Sequence, residues 1–234
     1  MNTDLDLKVR PVVQPNMLEL HVEARNLSQE PLYLQNVYLG EETGFNDNRP
    51  PQGASTDAAN VLPLGDGKLL IHQGTREPNY WPEYMVFGPR YQRLLPGERL
   101  AYIIHLHIPL FEWIPPSSAS HAAQPQREVV QSALFVLEYF ASGAPQPEVD
   151  GYPGVFGQRQ SSRSGAAAAL VTFEQPLPIQ CAGPPPKERS GFEPGEHWIP
   201  RMTHWQLFRR AGGLPAPYDQ PYRVPHPADA AQVR

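Results

Sequence analysis

LELHVEAR, residues 18–25, alternates strictly, with Leu18, Leu20, Val22 and Ala24 set between Glu19, His21, Glu23 and Arg25. An extended strand turns successive side chains to opposite faces, so the run gives one apolar face and one polar face. A face this polar stands in water, which implies an antiparallel sheet covered on one side only. Upstream, Leu5, Leu7 and Val9 alternate with Asp4, Asp6, Lys8 and Arg10, and Pro11 with the Gln14-Pro15-Asn16 turn is expected to end that strand. Downstream, residues 26–31 are a turn by composition, and residues 32–39 resume as a strand.

Further along, the pattern thins and returns. Residues 40–68 read as a long loop crowded with Gly, Asn, Asp and Pro, and residues 68–72 as a short strand. Tyr80, Trp81, Tyr84, Val86 and Phe87 suggest an aromatic strand. After the Leu95-Pro96-Gly97-Glu98 turn, residues 99–110 form a strong strand. Its apolar face is Tyr102, Ile104, Leu106, Ile108 and Leu110, and its other face carries Ala101, Ile103, His105 and His107. EVVQSALFVLEYFA, residues 128–141, is apolar on both faces and reads as a central strand. Residues 142–165 form a second long loop, and residues 167–174 close the domain.

The expected architecture is an all-β antiparallel sandwich over residues 1–180, followed by an extended proline-rich arm over residues 181–234. Ten prolines fall between Cys181 and Arg234, and Pro184-Pro185-Pro186 stiffens the chain. One short helix is expected near 201–211, opened by Pro200 and closed by Gly212-Gly213, with Met202, Trp205 and Phe208 along one side. An alternating strand, an Asn-x-Ser turn and a second strand opening on Pro-Leu resemble immunoglobulin-like and fibronectin-like sandwiches. The resemblance covers the first forty residues and the limb at 94–108, and implies a fold only; the Cys-Trp-Cys core of antibody domains is absent.

Composition narrows the partners. A net charge of −5 spread over mixed signs argues against a nucleic-acid stripe and a polybasic membrane patch. A single cysteine, Cys181, excludes an internal disulfide and a CxxC pair. No run approaches the length of a membrane span, and the first residues lack the apolar core of a signal peptide, so a cytoplasmic setting is expected.

Phosphate-loop, dinucleotide, nucleophile-elbow and HExxH motifs are all missing, which excludes those motifs without excluding enzymes. His105 and His107 lie two apart on one strand face, within reach of a common metal ion, and four residues separate His107 from Glu112. This His-x-His-x4-Glu string resembles the first metal motif of the cupins, which implies ligand roles for His105, His107 and Glu112 and one divalent metal ion. The chain departs from that pattern at Gly97, at Pro109 and in lacking a second motif. Against it stands a non-enzymatic reading with no cofactor: a binding or structural protein, a subunit of a larger assembly with a protein partner or copies of itself. The arm supplies its contact residues, Trp198, Met202, Trp205, Phe208, Tyr218 and Tyr222, since large aromatics set between prolines add interface area at low entropy cost.

Overall fold

The computed structural model describes residues 4–39, 54–65, 67–74, 90–111, 126–144, 146–157 and 163–181. Within them the chain is all-β, and no described residue is helical. In chain order the strands are β1 (Leu5–Gln14), β2 (Met17–Asn26), β3 (Leu32–Leu39), β4 (Ala54–Ser55), β5 (Asn60–Gly65), β6 (Lys68–Gln73) and β7 (Arg90–Leu94). They continue as β8 (Arg99–His107), β9 (Leu110–Phe111), β10 (Gln126–Ala141), β11 (Glu148–Val149), β12 (Tyr152–Phe156) and β13 (Arg163–Cys181).

Two open sheets form. The smaller has the order β1-β2-β8, antiparallel throughout, with Leu7 opposite Ala24 and Leu20 opposite Ile104. The larger runs β11-β12-β7-β3-β10-β13-β9, with β4 joined to β3 and the β5–β6 pair joined to β10. One edge of β10 pairs along β13. Its other edge pairs first in parallel with β6, at residues 132–137, and then antiparallel with β3, at residues 139–141.

Both sheets contribute to a single core, which makes the arrangement sandwich-like. Leu18, Leu20, Val22, Ala24, Ile104 and Leu106 come from the small sheet; Leu32, Leu34, Ile71, Phe135, Leu137, Tyr139 and Val171 come from the large one. The alternation in LELHVEAR is therefore the signature of a sheet with one dry face. β10 lacks such alternation because it is dry on both. Leu134, Val136 and Phe140 face away from the shared core and are as buried as Phe135 and Leu137. On that far side Phe140 stacks on Tyr33 with centroids 4.8 Å apart and meets Tyr91 edge-on at 4.7 Å.

Several boundaries differ from the sequence expectation, mostly at prolines. Pro11 does not end β1, which continues to Gln14. A missing N–H breaks a ladder only where a neighbour needs it, and β1 is an outermost strand. Pro63 lies in β5, which pairs with β6 alone, and Pro176 lies where the β10–β13 register shifts, so β13 passes Glu174 and runs to Cys181. Conversely, Pro109 divides the strand expected at 99–110 into β8 and β9. The two long loops are not structureless: residues 40–68 contain β4 and β5, and residues 142–165 contain β11 and β12. The β11–β12 hairpin turns at Asp150-Gly151, where Gly151 has φ of 81°. Among the described residues no helix is long and apolar enough to cross a membrane. The C-terminal arm with its expected helix, and the expected strand at Tyr80–Phe87, lie outside the described residues.

Candidate functional site

Three groups of polar side chains stand out. The first is on the outer face of the small sheet. β8 turns Tyr102, Ile104 and Leu106 inward, so Ile103, His105 and His107 point outward and are exposed. Glu19 lies opposite His105 in the β2–β8 register, and its carboxylate accepts from Gln14 Nε2 at 2.6 Å and contacts His21 Nε2 at 3.2 Å. Asp57, in the link between β4 and β5, crosses to the open edge of β8. Its Oδ1 accepts the backbone N–H of His105 at 2.6 Å, and its Oδ2 meets His105 Nδ1 at 2.8 Å. A carboxylate only accepts, so Nδ1 is the nitrogen that donates, and in the neutral ring it is Nε2 that carries the lone pair. Among the described residues no group of three His, Cys, Asp or Glu side chains stands close enough to hold a metal ion. Glu112, the third member of the His-x-His-x4-Glu string, lies outside the described residues.

The second group organises one end of the sandwich around Asn26. This side chain is 1% exposed and makes four hydrogen bonds. Its Nδ2 donates to the Glu30 carbonyl at 2.8 Å and to the Leu94 carbonyl at 2.9 Å. Its Oδ1 accepts from the N–H and the hydroxyl of Ser28, both at 2.8 Å. The Asn26 backbone joins the same network, with its N–H donating to Glu98 and its carbonyl accepting from Gly97. Leu27 N–H donates to the Asp4 carbonyl at 2.7 Å. The β2–β3 turn from one side and the β7–β8 turn from the other are thus tied to one amide. Gly97, with φ of 78°, lets the second turn close through Glu98 N–H to the Leu95 carbonyl at 3.0 Å. At the two tips Leu27 and Leu95 remain 49% and 38% exposed.

The third group is buried. Tyr102 donates to Gln73 Oε1 at 2.5 Å, and Gln73 Nε2 donates to the carbonyls of Thr56 and Ala58 at 3.1 and 2.7 Å. The segment that carries Asp57 is therefore held from both sheets. Burial pushes the Tyr102 hydroxyl well above the usual phenol range; Tyr38 adds to this, and a hydrogen bond with Asn36 opposes it. Part of Tyr102 reaches solvent, but its hydroxyl is the end held inside. A phenol whose folded pKa is raised stabilises fully below its unfolded value of about 10 and loses that stabilisation as pH rises toward the folded value. Unfolding free energies from urea titrations across alkaline pH should fall above about pH 10, by up to about 1.4 kcal/mol per pH unit from this group. Tyr102→Phe should be about 1 kcal/mol less stable at pH 8 but should show a shallower alkaline decline. Parallel declines in the two proteins would refute the assignment. On the far side of the large sheet, the buried His72 pairs with the part-buried Glu138, with Nε2 to Oε1 of 3.3 Å. His72 thus stands across the core from His105.

The structure brings His105 and His107 to one exposed face, as their spacing implies. Trp198, Met202, Trp205, Phe208, Tyr218 and Tyr222 lie outside the described residues. Sequence reading did not find Asp57 or the role of Asn26. Asp57 is 48 residues from His105, and Asn26 is 68 residues from Leu94. Only the Asn-x-Ser turn signal marked the second of these. The chain matches no family model, no curated protein and no solved structure.

Proposed function

We propose that the chain is a non-enzymatic binding module, a subunit of a larger assembly, built on an immunoglobulin- or fibronectin-like sandwich. The strand pairing supports that fold. The first two long strands and β8 share the small sheet, while β3, β10 and β13 share the large one, as strands A, B and E separate from C, F and G. In such sandwiches the loops at one end are the usual binding surface.

The observation that carries the reading is the Asn26 end. A buried amide fixes two turns in place while Leu27 and Leu95 stay exposed at their tips. Apolar tips on a preorganised backbone bind without a large ordering cost, which suits a protein partner or a second copy. The arm, with Trp198, Met202, Trp205, Phe208, Tyr218 and Tyr222, is a second contact region in this proposal.

The test is native mass spectrometry of the full chain purified from its own source, alongside the Leu27→Asp/Leu95→Asp double variant. The unaltered chain should carry a second polypeptide, and the double variant should bind it at least about ten-fold more weakly while its circular dichroism is unchanged. Removal of residues 182–234 should leave the sandwich folded and weaken assembly further. A bare monomer, or a double variant that assembles as tightly as the original, would sink the proposal.

A further inference from the structure

We propose that His105 and His107 form a surface chelate for a borderline transition-metal ion of the Cu2+, Ni2+ or Zn2+ kind, with Asp57 as the group that orients it. The inference is independent of the assembly reading. It rests on what Asp57 does to His105.

A metal-binding imidazole presents one nitrogen to the ion and gives its other N–H to a carboxylate or carbonyl, which fixes the ring and raises the basicity of the ligating nitrogen. His105 has this arrangement before any metal is considered. Its Nδ1 donates to Asp57 Oδ2 at 2.8 Å, and the same carboxylate grips its backbone N–H at 2.6 Å. The double contact fixes the ring relative to the strand and leaves Nε2 as the nitrogen able to bind. His107 follows two residues later, on the same exposed face of the same strand. Two imidazoles at this spacing reach one ion from a backbone that needs no rearrangement, and the cost of ordering the first has already been met by Asp57.

The donor set selects the ion. Neutral imidazoles suit Cu2+, Ni2+ and Zn2+, and are poor ligands for Ca2+ and Mg2+, which require several oxygens. With two protein ligands on an exposed sheet face, the remaining coordination positions are open to water or to a donor from a second molecule. His21 and Glu19 lie beside this pair on β2, with Glu19 opposite His105, but they are engaged with one another, and Glu19 also with Gln14.

Cu2+ is the probe for the test, titrated into the full chain and followed by electron paramagnetic resonance and calorimetry. One Cu2+ per chain is expected, with a hyperfine pattern from two imidazole nitrogens. His107→Ala and His105→Ala should each weaken binding by at least about ten-fold, and Asp57→Asn by about 10–100-fold, as loss of an outer hydrogen-bond partner does. Circular dichroism identifies any variant that fails to fold. His107→Ala, which leaves the Asp57 contacts intact, keeps the test decisive if Asp57→Asn is one of these. Absence of stoichiometric Cu2+, or undiminished affinity in the His105→Ala/His107→Ala double variant, would overturn the site. A folded Asp57→Asn protein that binds as tightly as the original would overturn the orienting role.

Discussion

Phe135→Ala is expected to lower stability by about 3–5 kcal/mol, the largest effect of any single substitution considered for this chain. Phe135 is fully buried at the middle of the central strand, paired with Ile71 on β6 and Ala169 on β13. The small Ala169 cannot fill the space that the ring leaves, so the cavity term adds to the lost transfer energy. Against a typical total of about 5–15 kcal/mol, such a loss brings the chain close to unfolding at ambient temperature. Urea denaturation checks it: the midpoint should fall steeply with the slope unchanged. Leu170→Ala, on the neighbouring strand but 56% exposed, should change stability by no more than about 0.5 kcal/mol. Equal effects at the two positions would show that β10 is not the centre of the core.

Asn26→Ala should cost roughly 2–4 kcal/mol. The substitution removes one amide and strips several groups at once: the Leu94 carbonyl and the Ser28 N–H lose this partner, and the Glu30 carbonyl is left with the Ser28 hydroxyl. Leaving a buried donor or acceptor unpaired costs more than the bond itself contributed, which is why a small polar side chain ranks beside a core aromatic. Amide hydrogen exchange gives a local readout. The Leu27 and Gly97 N–H groups, which donate to Asp4 and Asn26, should exchange faster in the variant, while those in the β10–β13 ladder should not. If the two loop amides keep their protection, the turns are held by something other than Asn26.

The parts of this molecule that the sequence made legible are those decided by one strand and water. β2 and β8 each show one dry face, so Leu18 to Ala24 and Tyr102 to Leu106 were readable as core, and Glu19, His21, His105 and His107 as surface. β10 was readable as a central strand from apolar residues on both faces. What stayed illegible depends on neighbours. Pro11 looked like a stop because proline lacks a donor, yet it sits on an outermost strand where no ladder bond is required of it, and the strand expected to close at Glu174 runs on through Pro176, where the register shifts. β4, β5, β11 and β12 are short strands amid Gly and Pro, too brief to show a period. The site residues follow the same division. The facing of His105 and His107 is a local property, whereas the grip of Asp57 on His105 and of Asn26 on Leu94 spans 48 and 68 residues. No pattern within a strand encodes a partner that far away.

The central position of β10 has a consequence for how the protein is made. A ribosome delivers the small sheet early, since β1 and β2 are adjacent and β8 follows before any of β10 has been synthesised. The large sheet cannot close in that order. β3 and β6 both wait for β10, and the Tyr139 hydroxyl that meets Asp4 arrives 135 residues after it. During that interval the nascent chain exposes two apolar strand edges with nothing to pair them. Translation speed through residues 74–126 is therefore expected to influence the yield of folded protein. Slowing synthesis there should increase aggregation, and slowing it after residue 181 should not.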